Sequence, residues 1–504
     1  MYNKKLFSQT EYHPSPEPEY KLLLSSASLK ELFSGSSDFE QRDIYIALSG
    51  TIRLSLFWLD GLVSGNTVAE DIIRPLTELS RMHDLRSEQQ CLELILHGAA
   101  YSYSAVICET VDDVTQRLTH GSAALVFDGI HRAVCFEVKT DKTRAIDQPT
   151  LEKSLKGAKD AFVETLRTNT ALVRRRICSP KLKLTETSVG RKSGTKLALM
   201  YVEGVASPCV VEELKKRLDA LDVDALLACG TLEEYIVDAP LSPFPQLLHT
   251  ERPDRFAMYL LDGRVGLLVD GLPVGFVVPV TLAEFMKVTG DSSNHFSVVS
   301  FLTVLRWFAL LLSITLPALY VAIAMYHQEM IPTKLLLSVI EAKRDVPFST
   351  ALEVIGMLTA FELLQEAGLR LPNPIGDTVS IIGALIVGQS AVEAKVVSPI
   401  AIIVVALSGI ACYTLPSQDL GAAVRLTRFV YVLSAVVGGL FGVGIVSCLL
   451  ILHICSMDSF GVNYTAPVTD GLPLPLFRLL IQRPKPLNKD RDPLLHTPDR
   501  RRQK

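Results

Sequence analysis

The hydrophobic pattern changes character near residue 298. Before that point apolar residues come in short alternating runs, such as Arg53-LSLFWL-Asp60 and Lys196-LALMYV-Glu203, the period of half-buried strands. These two runs lie 143 residues apart and each ends on an acid followed by glycine. A second matching pair, Gly121-SAALVF-Asp128-Gly129 and Gly263-RVGLLV-Asp270-Gly271, lies 142 residues apart, and each continues into another apolar run, at 133–138 and 274–280. An Asp-Gly between two such runs predicts a hairpin, because glycine supplies the positive φ of a tight turn. Each copy therefore reads strand–helix–strand–helix–hairpin and predicts a small mixed sheet covered by helices. Duplication at this length predicts two tandem subdomains, not a solenoid.

After residue 298 the runs lengthen. Residues 302–326 carry one charge, Arg306, near the start, where a long side chain can snorkel, and Pro317 predicts a kink. Residues 396–414 and 429–457 carry no charge, and Gly438 and Gly442 in the last run predict a small-residue packing face. These are three predicted spans. Residues 346–361, with Glu353, and 378–392, only 15 long, read as weaker spans or parts of a broken helix, and 332–343 as an interfacial helix.

The stretch 361–394, FELLQEAGLRLPNPIGDTVSIIGALIVGQSAVEA, places acids and a break inside apolar sequence. Such features persist at membrane depth only against protein or a water-filled cavity. Glu362 and Glu366, four apart, share a helix face about 40° wide. With Glu353, Arg370 and Gln389 they are the pore or gating candidates, and Pro372, Pro374 and Gly376 are the hinge candidates. An inward acid row favours cations. The alternative is that the glutamates pair with Arg370, Lys395 or a neighbouring subunit's base as structural glue.

Composition agrees with the pattern. A mean hydropathy of +0.29 with 21% charged residues over 504 residues is too apolar for an ordinary soluble protein. The net charge of −4 does not point to nucleic acid. Nine scattered cysteines without C-x-x-C indicate neither a zinc site nor a disulfide framework. No catalytic constellation or cofactor motif emerges: GRKSGTK at 190–196 lacks the phosphate-loop spacing, and there is no G-x-S-x-G.

Between the copies, 151–183 holds nine basic residues against three acids, with Phe162, Leu166, Thr170 and Val173 at helical spacing. This predicts either a solvated connecting helix or, through Arg174, Arg175 and Arg176, a contact with anionic lipid or a neighbouring subunit. Thr250-Glu-Arg-Pro-Asp254 has a counterpart in Cys108-Glu-Thr-Val-Asp112, so it reads first as a helix start, leaving Arg252 as an interaction candidate.

The predicted organisation is an α/β soluble region of two tandem duplicated subdomains followed by an all-α polytopic membrane domain. The segments are a flexible 1–40, subdomains at 41–145 and 196–298 joined by a basic helical connector at 146–195, a membrane domain at 299–457 and a basic tail at 458–504. The N-terminus lacks the apolar core of a signal peptide and the tail is basic, which places both on the cytosolic side and demands an even number of crossings, four or six.

Several long stretches carry a resemblance: EKSLKGAKDAFVETLRTNTALVRRRI, SPFPQLLHTERPD, LPALYVAIAMYHQEMIPTKLLLSVIEAKRDVPF, the 361–394 stretch with its continuation KVVSP, and SFGVNYTAP. In these, over roughly 41–485, the chain resembles the A subunits of GerA-type spore germinant receptors. It departs at Asn463, where a Pro-Tyr pair is usual, and after Arg483. The resemblance implies a non-enzymatic protein of the bacterial spore inner membrane, assembled with a transporter-like B subunit and a lipoprotein C subunit. It also implies a homo-oligomer of A subunits forming a nutrient-gated ion channel. A secondary transporter and a non-conducting membrane scaffold are the alternatives. The transporter lacks a second broken helix in a mirrored half.

Overall fold

In the computed structural model the described residues are 23–46, 52–78, 85, 87–98, 104–140, 149, 152, 156–370, 388–469 and 475–503. Two five-stranded sheets follow one another. The first joins β1 (Phe39–Ile46), β2 (Ile52–Leu59), β3 (Ala105–Cys108), β4 (Ser122–Phe127) and β5 (Arg132–Glu137) in the order β1-β2-β4-β5-β3. The second joins β6 (Leu182–Val189), β7 (Thr195–Val202), β8 (Leu248–Thr250), β9 (Val265–Val269) and β10 (Gly275–Val278) in the equivalent order β6-β7-β9-β10-β8. The duplication read from the sequence is thus a duplication of topology.

Two details differ from the expectation. Every strand pairing in both sheets is antiparallel, so neither sheet is mixed. Each copy also begins with an additional strand, β1 or β6, which pairs along its whole length with the next one, Phe39 opposite Leu59 and Leu182 opposite Val202. These first strands, FEQRDIYI and LKLTETSV, are rich in polar residues and lie at sheet edges, where charge suppresses further pairing. Because β6 starts at Leu182, the second unit begins inside the segment assigned to the connector. Within the segment expected to be flexible, α1 (Ser26–Leu32) is a capped helix, with Ser25 and Ser28 bonded reciprocally.

Helices α2 (Glu88–Leu96) and α3 (Val111–Thr119) cover the first sheet, with Leu92, Ile95, Val114 and Leu118 packed into its core. Among its described residues the connector is helical only over α4 (Leu166–Arg174). Its Arg167 reaches Asp60 of the first unit at 3.0 Å and Glu186 of the second at 2.9 Å. Gly61, at φ 88°, lets this helix approach, since a Cβ there would lie 3.2 Å from the Arg167 carbonyl and from Ala171. Helices α5 (Pro208–Asp219), α6 (Cys229–Ile236) and α7 (Pro253–Leu261) serve the second unit.

After residue 295 the α-helices include α8 (Phe296–Tyr326), α9 (Thr333–Lys343), α10 (Thr350–Arg370), α11 (Pro399–Tyr413), α12 (Gln418–Ser456) and the short α13 (Pro475–Leu480). Two of them, α8 and α12, are long and apolar enough to cross a membrane. The 15 residues of α11 span only about 22 Å, less than the roughly 30 Å of a bilayer core.

The run 429–457, expected as one span, is interrupted. Gly439, at φ 56° and ψ −140°, breaks α12 into arms 418–438 and 440–456. A Cβ on Gly442 would collide with the Ser434 carbonyl. In an unbroken helix residues eight apart stand about 12 Å apart, so the chain folds back on itself. Both ends of α12 meet the second unit: Asp419 lies 3.3 Å from His249, and His453 lies 2.9 Å from Ser242. Gly439 sits beside Tyr326, at the opposite end of α8. Gly438 has open space where a Cβ would be, so the predicted Gly438/Gly442 packing face is replaced by this reversal.

The tail is docked. Ser459 Oγ accepts from Val280 N at 3.1 Å, Leu282 N donates to the Tyr464 carbonyl at 2.8 Å, and Asp499 N to the Gly204 carbonyl at 3.1 Å. Phe460 and Tyr464 are buried, and Arg217 stacks 4.3 Å from the Phe460 ring. One core runs from the second sheet through Phe285 and Tyr464 into α8, α10, α11 and α12.

Candidate functional site

The helices after residue 298 enclose two charge clusters, both organised by α10. Its sequence, rich in Leu, Ala and Glu, favours a helix, and Ser349 caps the start, its Oγ accepting from Leu352 N at 3.4 Å. Val354 and Leu358 are fully buried on its inner face. Phe361 packs against α11 so closely that a Cβ on Gly409 would lie 2.9 Å from its ring, with Tyr413 at 6.3 Å between centroids.

The first cluster surrounds Glu353, whose side chain is fully enclosed. Lys343 Nζ lies 3.1 Å from it, and the Ser398 amide donates to its other oxygen at 2.8 Å. Ser398 is the N-cap of α11, accepting from Ala401 N at 3.4 Å, so the carboxylate sits at the positive end of that helix. The second cluster surrounds Glu362. Arg428 Nη2 approaches it at 2.6 Å and Arg425 Nη1 at 3.4 Å, both from the first arm of α12. Arg428 also reaches Ser408 Oγ on α11 at 3.4 Å, so one guanidinium joins three helices.

Glu353 and Glu362 are nine residues apart, which at 100° each puts them on opposite sides of α10, about 13.5 Å along it. They do not form one row. Glu366 is exposed. Gln389 donates to Glu393 at 2.8 Å and is exposed. The side chain of Arg370 and the whole of Pro372, Pro374 and Gly376 lie outside the described residues. The bases beside the acids are Lys343, Arg425 and Arg428, none of which the sequence reading proposed. Their signal was present: Arg425 and Arg428 stand three apart, one helical face, immediately before the charge-free run.

The interaction candidates are engaged within the chain. Arg174 is buried and bonds Asp38 at 2.7 and 2.8 Å, with Ser36 at 3.3 Å. Arg176 holds Asp160 at 2.6 Å, and Arg175 donates to the Thr140 carbonyl at 3.2 Å. Arg252, also buried, is the N-cap residue of α7 and bonds Asp254 at 2.7 Å. Arg174 and Arg252 therefore offer no surface to lipid or to a partner, because each guanidinium is consumed by a carboxylate of its own chain. Arg306 does not snorkel: it holds Asp291 through two bonds, at 2.7 and 3.0 Å, and donates to the Met286 carbonyl at 3.0 Å. This clasp fixes α8 to the second unit. Close by, Arg264 lies 3.0 Å and Lys287 2.6 Å from Glu284. Burial pushes the Glu284 carboxyl up, but the two cations outweigh it and hold it below the ordinary carboxylate range. Burial, with Asp419 adding to it, raises Glu233.

The family described as "Bacillus/Clostridium GerA spore germination protein" matches residues 27–493. "Spore germination protein KA" of Bacillus subtilis (strain 168) is 35% identical over 90% of this chain and 83% of its own length. "Spore germination protein GerLA" of Bacillus cereus is 31% identical over 96% of this chain and 97% of its own. Among solved structures, the N-terminal domain of the A subunit of the Bacillus megaterium spore germinant receptor GerK3 is 32% identical. It covers 50% of this chain and 92% of that one, with a TM-score of 0.41. By sequence, over nearly its whole length, the chain belongs to the GerA family of spore germination proteins.

Proposed function

We propose that this chain is the membrane subunit of a nutrient germinant receptor and that copies of it form a ring which conducts ions when germination is triggered. The observation that carries the reading is the Glu362–Arg428 contact: an ion pair with an enclosed guanidinium, set between α10, α11 and α12 in the most apolar part of the chain. Charged groups in such surroundings are costly to keep, are weak evidence of a stabilising role, and point to an ion path or gate. In the resting state Arg428 and Arg425 neutralise Glu362. Movement of α10 away from α12 frees the carboxylate to face a cation path. A transporter-like B subunit senses the nutrient and a lipoprotein C subunit completes the receptor in the spore inner membrane. The contacts of both α12 ends and of the docked tail with the second unit support one shared side, the spore core, for the N-terminal units and the tail.

The test is germinant-triggered release of monovalent cations from spores whose only receptor contains this chain with its partner subunits. At matched abundance of assembled receptor, E362Q should release cations abnormally. Wild-type release from both E362Q and E366Q removes the gating role. A second reading, a non-conducting scaffold, is favoured by the neutralisation of Glu353 and Glu362 by bases of the same chain. Under it the double variant E362Q/R428Q should germinate as wild type.

A further inference from the structure

Where α8 begins, the tail returns to meet it. Gln482 N donates to Ser300 Oγ at 3.0 Å, and the Lys485 ammonium bonds the Ser292 carbonyl. Between them lies an open groove of about 220 Å³ lined by Asn294, His295, Phe296, Gln482, Arg483 and Lys485. No acid lines it, and Arg483 has no carboxylate partner among the described residues. Exposed large apolar side chains lie close to this basic groove along the chain: Phe301, next to Ser300, is 68% exposed, Phe477, whose carbonyl accepts from Ile481 N, 60%, and Leu487, two residues after Lys485, 67%. Exposed aromatic and aliphatic groups beside cations that have no carboxylate partner among the described residues match the boundary of a bilayer, where acyl chains meet headgroups. The length of α8, together with the Arg306–Asp291 clasp that ties its first three turns to the second unit, places the groove at that boundary. Its 31 residues rise about 46 Å, some 16 Å more than the bilayer core, so its first turns extend into the headgroup zone. The connector adds charge here, not at its arginine triplet: the Lys156 carbonyl accepts from Ser293 Oγ at 2.7 Å, and Lys156 is exposed.

We propose that this groove seats the phosphodiester headgroup of an anionic phospholipid, held by Arg483 and Lys485 while Phe301 and Phe477 lie along its acyl chains. The inference rests on the reading that α8 crosses the membrane. Occupancy fixes the tail against the first turn of α8, next to the Arg306–Asp291 clasp, and so ties the lipid leaflet to the junction between the second unit and the helices.

The test uses the full chain purified in an uncharged detergent, with phosphatidylglycerol, phosphatidylcholine and inorganic phosphate as separate probes. Retained lipid is counted by native mass spectrometry and the unfolding midpoint is followed in parallel. Phosphatidylglycerol should bind and raise the midpoint, whereas phosphatidylcholine should not. R483A/K485A should bind phosphatidylglycerol about 25-fold more weakly, roughly fivefold per basic residue, with its lipid-free midpoint unchanged. R483K/K485R should retain binding. Equal phosphatidylglycerol affinity in R483A/K485A, or equal protection by inorganic phosphate, overturns the proposal. Extraction of membranes with alkaline carbonate separates the two failures: release of the chain refutes the crossing of α8 and this site with it. A chain that stays in the membrane yet shows no phosphatidylglycerol preference refutes the site alone.

Discussion

Arg428 Nη2 lies 2.6 Å from Glu362 Oε1, and the two side chains are unequally shielded, 1% and 23% exposed. That inequality predicts an asymmetric response. E362Q leaves an enclosed guanidinium without its closest counter-charge, the costly case, at about 3–5 kcal/mol. R428Q leaves a partly solvated carboxylate that still has Arg425 at 3.4 Å, and should cost less, about 1–3 kcal/mol. Thermal unfolding of the purified chain in detergent should rank them in that order. The reverse order would mean that Arg428 is solvated in the folded protein.

Gly439 and Gly438 provide a matched pair for the reversal in α12. Gly439 adopts φ 56° and ψ −140°, a conformation costly for any L side chain, and a Cβ there would press on Tyr326 at 3.2 Å. Gly439→Ala should therefore lose about 1–3 kcal/mol. Gly438→Ala meets no atom within 4 Å and should stay within about 0.5 kcal/mol of wild type. Equal midpoints for the two variants would place the reversal elsewhere.

The duplicated units were legible because period-two runs ending in Asp-Gly or Glu-Gly state both strand and turn locally. The first strands β1 and β6 were not, since FEQRDIYI and LKLTETSV have the weak alternation that an edge strand can afford, and only pairing with β2 and β7 reveals them. In the helical part, the acids of α10 were visible as anomalies in apolar sequence. Their partners were not, because pairing between Glu362 and Arg428 spans 66 positions and depends on how helices pack. The reversal at Gly439 escaped for a related reason: one glycine among Gly438, Gly439, Gly442 and Gly444 takes the unusual conformation, and composition does not say which.

Arg174 and Asp38 are both 1% exposed and joined through two bonds, tying the connector helix to the residue just before the strand that opens the first sheet. Removing one partner strands the other's charge, so D38N should cost about 3–5 kcal/mol. Because the loss comes from the stranded charge, D38L/R174M should recover a substantial part of it. Urea midpoints of the three proteins decide the matter. A double variant no better than D38N would show that the bond geometry, and not charge compensation, holds the two elements together.

Glu284 gives the second α/β unit a defined acid response. Its folded carboxyl is held below the ordinary range by Arg264 and Lys287 against the opposing effect of burial, whereas in the unfolded chain it titrates near 4.3. A depressed folded pKa contributes stability above the unfolded value and loses it as pH falls towards the folded one. As pH drops below about 4.3 the unfolded state takes up a proton that the folded state refuses, at a slope approaching 1.4 kcal/mol per pH unit. E284Q lacks this proton, and other carboxylates cancel in the comparison. The stability difference between wild type and E284Q should hold constant from pH 7 to 5 and shrink steadily from pH 4.3 to 3, measured by urea unfolding at each pH. A difference that stays flat across the acid range would mean that Glu284 titrates alike in the folded and unfolded chain, and that Arg264 and Lys287 do not act on it.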